Sequence, residues 1–89
     1  MVWTIELDPA AKKTLNNLDT QIARRILQFL FERVAFLENL RSIGEALQGS
    51  RFKTLWKYRV GDYRLISHLD DGLCRVLIIK IGNRKEVYR

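Results

Sequence analysis

The chain has 89 residues, a formal net charge of +6, a hydrophobic fraction of 47% and a single cysteine. That length allows one domain over residues 1–89 with one modest core. The lone Cys74 excludes an internal disulfide, and no Cys/His cluster offers a zinc site.

No apolar run reaches signal-peptide length or the roughly 20 residues of a membrane span, so a reducing cytoplasm is the expected location and no membrane is expected as a partner. The charge is unevenly placed. Residues 1–50 hold six Lys/Arg and six Asp/Glu, which cancel, whereas residues 51–89 hold ten and four and so carry the whole +6. A basic half implies an acidic partner, and nucleic acid is the usual one.

In chain order, Val2 to Leu7 mixes β-branched and aromatic residues in rough alternation, which predicts a first strand. Asp8-Pro9 then supplies an N-cap followed by proline at the first helical position, opening a short helix over Pro9 to Asn16 with Ala10, Ala11 and Leu15 as its buried side. Asp19 caps a second helix from Thr20 to Phe36 or Leu37. Its core stripe is Ile22, Ile26, Phe29, Leu30, Val34 and Leu37, and Arg24, Arg25, Glu32 and Arg33 fill the wetter side. From Glu38 to Ser50 the periodicity fails, and Gly44 and Gly49 bracket an expected loop in which Leu47 tucks inward. Strands follow over Phe52 to Val60 and Tyr63 to Leu69, with Asp70-Asp71-Gly72 as a hairpin turn. Cys74 to Ile81 is nearly all apolar, so it is expected to be an interior strand, buried on both faces, with Cys74 a small hydrophobe at its start. Gly82 breaks it and a polar tail ends the chain. The order is that of an α+β domain: an N-terminal strand, two helices, then an antiparallel three-stranded meander, with the helices on one face of the sheet.

The hairpin around Gly61 has two unlike faces. A two-residue turn at Val60-Gly61 or at Gly61-Asp62 gives the same result: Lys57, Arg59 and Arg64 on one side, Trp56, Tyr58, Tyr63 and Leu65 on the other. Helices need the aromatic face, which leaves the cationic face open. Like charges opposite each other across a strand pair are unfavourable, and an arriving anion relieves them.

There is no Gly-rich phosphate loop, no HExxH, no nucleophile elbow and no Ser/His/Asp set. His68 stands near a strand end with no second histidine or carboxylate placed to orient it, and the scattered carboxylates support neither a paired-acid glycosidase nor a magnesium-dependent nuclease. What remains is Lys53, Lys57, Arg59, Arg64, Arg84, Lys85 and Tyr88, a set suited to a phosphodiester. RNA can be cut by attack of its own 2′-hydroxyl on the neighbouring phosphorus, given a proton acceptor, charge stabilisation on the phosphoryl oxygens and a proton for the 5′-oxygen, without metal or cofactor. Arginine forks suit the second task. Lys57 could serve the first if its arginine neighbours disfavour its charged form.

The run from Leu55 to Ile66, LWKYRVGDYRLI, closely resembles the LW-[RK]-YR-VGDYR-[IL]-I hallmark of the RelE/ParE superfamily of toxins from bacterial and archaeal toxin–antitoxin modules. The end from Ile81 to Arg89, IGNRKEVYR, resembles the GHR-x-x-VYR ending of its RelE branch. The resemblance implies a RelE-like microbial RNase fold and an mRNA interferase, a toxin that enters the ribosomal A site and cuts the message to a 2′,3′-cyclic phosphate and a 5′-hydroxyl. By position, Lys57 falls on a family lysine proposed for proton transfer or charge stabilisation, and Arg64 on the arginine that holds the scissile phosphate. Arg84 falls on the arginine thought to steady the transition state or leaving group, and Tyr88 on the terminal tyrosine that stacks on or activates the substrate. Lys53, Arg59 and Lys85 are expected to grip messenger or ribosomal RNA. The implied partner is a small RelB-like antitoxin, through which alone operator DNA is reached. Two positions depart from the pattern: Leu55 stands where some members have lysine, and Asn83 where many have histidine, which removes any histidine-based acid step. The same resemblance allows a ParE-like gyrase inhibitor, or an inactive homologue acting with its antitoxin in operon repression; the VYR ending favours RNA cleavage.

Overall fold

The computed structural model describes residues 2–47, 55–85 and 87. The first strand, β1 (Thr4–Leu7), turns directly into the first helix, α1 (Pro9–Asn16), because the Asp8 side chain accepts a hydrogen bond from the Ala11 N–H at 2.8 Å and Pro9 occupies the first turn. Ala11 and Leu15 face the core as expected, whereas Ala10 is exposed. Asp19 caps α2 (Thr20–Gln28) through the Gln21 N–H at 2.9 Å. Helical winding continues to Phe36 as predicted, but changes pitch, running as a π-helix over Phe29–Arg33 and a 3₁₀ turn over Val34–Phe36. Ile26, Leu30 and Val34 are fully buried at a spacing of four. That spacing drifts around a helix of about 3.6 residues per turn, and the wider π winding takes up the drift.

The expected loop after Glu38 contains more order than periodicity suggests. Leu40–Ser42 forms a 3₁₀ turn that buries Leu40, and Glu45–Ala46 forms a two-residue strand, β2, antiparallel to β3 (Leu55–Val60). Leu47 is half-buried, and its N–H donates to the Leu55 carbonyl at 3.2 Å. The remaining strands are β4 (Tyr63–Asp70) and β5 (Arg75–Asn83), giving a five-stranded sheet in the order β1-β5-β4-β3-β2, with β1 parallel to β5 and the other pairs antiparallel. Residues 52–54 of the predicted strand and Gly49 lie outside the described residues.

Helices pack on the face that carries Trp56, Tyr58, Tyr63 and Leu65, as the alternation predicts. Tyr58 is fully buried there; its hydroxyl donates to the Leu40 carbonyl at 2.7 Å, and its ring meets Phe29 edge-on at 5.9 Å.

Two expectations are corrected. The β4–β5 connection is a four-residue turn over residues 71–74 rather than a tight Asp70-Asp71-Gly72 turn, and Cys74 closes it at φ 51, inside the turn and not in the strand. Strand β5 is interior, but only one of its faces is fully buried. The register jumps from Ile66↔Lys80 to Ser67↔Ile78, so Ile79 is an extra residue, a β-bulge. Val76 and Ile78 on one side of it and Ile81 on the other all reach the core. Strict alternation would have put Lys80 in the core with Val76 and Ile78; the bulge instead turns Lys80 and Gly82 to the open face.

Burial pushes the Tyr58 hydroxyl up from 10.0 to about 12, the Arg41 charge opposing it. A pKa raised by folding contributes stability that is full below about pH 10 and is lost as pH rises through about 12. Tyr58→Phe should therefore flatten the alkaline fall in urea midpoint between those values, while costing about 1 kcal/mol at neutral pH for the lost hydrogen bond. A titration of urea midpoints against pH for both proteins checks it.

Candidate functional site

The β3–β4 hairpin turns at Gly61-Asp62, with Gly61 at φ 58 and no positive φ at Asp62, the pattern of a type II′ turn. This register sets Arg59 directly opposite Arg64 and Lys57 opposite Ile66. All of Lys57, Arg59 and Arg64 therefore stand on the face away from the helices. Like charges opposite each other are unfavourable, and two of these cations reach different counterparts. Arg64 Nη1 donates to the Gly61 and Tyr63 carbonyls, both at 3.1 Å, which bends its guanidinium back over the turn. Lys57 lies opposite Glu45 of β2, with Nζ 3.7 Å from Oε2. Arg59 is exposed. Together with Gly44 these four side chains line an open cleft of about 260 Å³. Ile66 also lies on this face and is only 4% exposed, with Lys57 and Lys80 as its ladder partners on either side.

Glu45 was not anticipated, because its segment reads as loop. It is placed by Gly44, whose φ of 83 suits glycine, and a Cβ there would collide with the Lys57 carbonyl and lie 2.6 Å from Trp56 Nε1. Trp56 Nε1–H in turn donates to the Ile43 carbonyl at 2.8 Å. The like-charge argument for Lys57 as a base, which counted only arginines, meets an opposite charge on its other side.

The chain end folds back onto the same face. Gly82 is the ladder partner of Arg64, and an added Cβ on Gly82 would lie 3.1 to 3.4 Å from Val87 atoms, so Val87 packs directly on this glycine. Val87 is buried. Asn83 makes the reversal: its carbonyl accepts from the Val87 N–H at 2.9 Å and its side-chain oxygen from the Lys85 N–H at 3.0 Å. The Arg84 N–H donates to the Asp62 carbonyl at 2.8 Å, which ties Arg84 to the hairpin tip beside Arg64. Asn83, which stands where the resembled motif has histidine, thus acts as a turn former. Arg84 and Lys85 are exposed; Lys53 and Tyr88 lie outside the described residues. On the helix side of the tip, the Arg25 guanidinium lies 3.6 to 3.9 Å from where a Gly61 Cβ would stand, a further cation that the helix pattern assigned only to a wet surface.

Residues 5–88 match the family described as the ParE toxin of type II toxin-antitoxin systems, parDE. Toxin RelE of Mycobacterium tuberculosis is 33% identical over 87 residues, 98% of this chain and 87% of that protein. Toxin RelG of the same organism is 29% identical over 89 residues, 100% of this chain and 99% of that protein. Among solved structures, the RelBE2 toxin-antitoxin complex of Mycobacterium tuberculosis shares the fold with a TM-score of 0.83 at 22% identity, over 97% of this chain and 95% of that one. The archaeal RelE-RelB complex of Pyrococcus horikoshii OT3 does so with a TM-score of 0.76 at 23% identity, over 97% and 99%. The sheet with two helices on one face and arginines on the other is thus the RelE-type toxin fold. The chain belongs to the RelE/ParE superfamily of type II toxins.

Gly82→Ala should displace Val87 and with it the Arg84 hook, weakening toxicity while costing roughly 1–3 kcal/mol by overpacking. Gly44→Ala, strained at positive φ, should be the more destabilising of the two. Urea denaturation of both variants, alongside a toxicity assay, checks the ranking.

Proposed function

We propose that this toxin is a ribosome-dependent endoribonuclease acting as a single domain over residues 1–89, and that the open face of its sheet is the catalytic surface. The observation that carries this reading is the convergence of Lys57, Arg59 and Arg64 on one cleft, with Val87 folding the chain end over Gly82 so that Arg84 reaches the hairpin tip. Message bound there would be cut by its own 2′-hydroxyl: the 2′-oxygen–phosphorus bond forms, the phosphorus–5′-oxygen bond breaks, and the products are a 2′,3′-cyclic phosphate and a 5′-hydroxyl. Among the described residues the hydrogen bonds of Arg64 run from Nη1 to two backbone carbonyls, which leaves the rest of its five-donor fork for the phosphoryl oxygens. Arg84 carries the charge that builds on the leaving side, Lys57 neutralises the phosphate, and Tyr88 stacks on a base. Lys53, Arg59 and Lys85 hold the backbone of messenger or ribosomal RNA. The reaction draws on no cofactor.

The partner is a small RelB-like antitoxin, through which alone operator DNA is reached. Structural relatives that are complexes with RelB support this reading. Cytoplasmic action fits the ribosomal target, and among the described residues no helix is long and apolar enough to cross a membrane.

A second reading, a gyrase inhibitor, is favoured by the family description, which names a ParE toxin. The RelE and RelG relatives and the VYR ending weigh against it. An inactive homologue that serves its antitoxin in operon repression is the third form.

Cleavage of a defined message on programmed ribosomes decides among them. Arg64→Ala should slow cutting by about 100-fold or more, the scale set by loss of one transition-state donor, and Tyr88→Ala by about tenfold. Unchanged cutting by both removes these residues from the mechanism, and inhibition of supercoiling without message cleavage replaces the reading with the second.

A further inference from the structure

The hairpin tip has a second side. Away from the cleft, where the tip meets α2, Ile22, Arg25, Val60, Gly61, Asp62 and Tyr63 line a cavity of about 110 Å³. Ile22, Val60 and Tyr63 are half-buried against the core and give it apolar walls, while Arg25 and Asp62 are exposed at its rim. Gly61 leaves room for Arg25, whose guanidinium lies 3.6 to 3.9 Å from where a Cβ would stand. The space holds far more than one water, which needs roughly 10–15 Å³. It is well below the roughly 300–1,000 Å³ of sites that take a whole small ligand, so it admits a single flat group.

The two charges at this cavity are unspent. Among the described residues neither the Arg25 guanidinium nor the Asp62 carboxylate has a hydrogen bond or an ion pair, with each other or with a third group. The main-chain acceptors beside them are taken, the Gly61 carbonyl by Arg64 Nη1 and the Asp62 carbonyl by the Arg84 N–H. Opposite charges that share one small cavity without meeting leave a gap for a guest with acceptors on one edge and N–H donors on another. A phosphate is repelled by the carboxylate, and an apolar side chain would cover both charges without pairing them. A nucleobase is neutral, and its faces stack on aromatic rings and guanidinium planes. Guanine suits the pair best. Its O6 and N7 accept both arms of an arginine fork, and its N1–H and 2-amino group donate to both oxygens of a carboxylate. Adenine, cytosine and uracil each offer the carboxylate only one donor nitrogen.

We propose that this cavity is a subsite for an unpaired guanine base, an assignment that rests on RNA being what the opposite face binds. Arg25 takes the O6/N7 edge, Asp62 the N1/N2 edge, and Tyr63 lies against the ring. Arg64 and Arg84 hold the other side of the same two turn residues, so a strand with a phosphate at the cleft rounds the tip toward Arg25. The base held here takes no part in bond breaking, and selectivity thus arises outside the cleft. Message and ribosomal RNA present the same base to it.

The test is titration of the free toxin with the 2′-O-methyl trinucleotides UGU, UAU and UIU, whose blocked 2′-hydroxyls prevent cutting, followed by NMR shifts of the Ile22 and Val60 methyl groups. UGU should bind about tenfold or more tighter than UAU, the scale of one bidentate base contact, with UIU in between because inosine lacks the 2-amino group. Arg25→Ala and Asp62→Asn should each weaken UGU by about tenfold and erase the preference, with urea midpoints near that of wild type because both side chains are exposed. Equal binding of UGU and UAU, an unaltered preference in both variants, or the same shifts from inorganic phosphate alone overturns the proposal. No cutting is measured, so each of these results leaves the endonuclease reading standing. Failure of the wild-type chain to cut message, with the guanine preference intact, removes that reading and leaves the subsite. On programmed ribosomes, weaker toxin binding when message guanines are replaced by inosine assigns the base to the message; weakening by Arg25→Ala and Asp62→Asn alone assigns it to ribosomal RNA. No weakening by any of the three overturns the proposal.

Discussion

Tyr58 cannot face outward. It is fully buried, its hydroxyl reaches the Leu40 carbonyl, and its ring lies edge-on to Phe29 beneath the helices. Because side chains alternate along a strand, that one inward residue obliges Lys57 and Arg59 to point the other way. Pairing of Tyr58 with Leu65 extends the obligation to Arg64. A one-residue slip of the hairpin would bury guanidinium groups and expose aromatics, so the core that stabilises the fold is also what displays its cations. Stability and surface chemistry are thus two outcomes of a single register.

The second half of the sheet serves the same arrangement by a different route. Without the extra residue at Ile79, Gly82 would fall on the helix side, and Val87 could not seat on the open face next to Arg64. Asn83 then turns the chain by a side-chain and a main-chain hydrogen bond, holding Arg84 against the hairpin tip. At the opposite edge Gly44 sets Glu45 against Lys57. Three local devices, a bulge, a side-chain-capped reversal and a left-handed glycine, each add one component to a cleft that hairpin alternation begins.

Regular periodicity is legible in sequence, and what depends on it was readable: the caps at Asp8 and Asp19, the buried stripe of α2, the two hairpin faces and the interior place of β5. Features that break periodicity were not. A bulge in an all-apolar run leaves no mark in the pattern, so Ile79 passed as one more core residue. Strand β2 has two residues, both exposed, and Glu45 consequently read as loop. Its only signal was Gly44 before an acid, within a segment already set aside for lacking period. The turn at Cys74 was missed because Asp70-Asp71-Gly72 carries a stronger turn composition than the residue that adopts positive φ. For the site, the hairpin cations followed from alternation, whereas Arg84 entered as one of the remaining cations and took its role only by resemblance, and Val87, which holds it, was seen in neither way.

All of the net positive charge lies in residues 51–89, the part of the sequence that includes β3, β4 and β5. Such a charge attracts any polyanion; what distinguishes catalysis from binding is the chemistry left on the product. Mass spectrometry of the fragments released from a ribosome-bound message tests the central claim most directly. The account predicts a 2′,3′-cyclic phosphate on the upstream fragment and a 5′-hydroxyl on the downstream one. A 3′-hydroxyl paired with a 5′-phosphate, or an intact message, would contradict it.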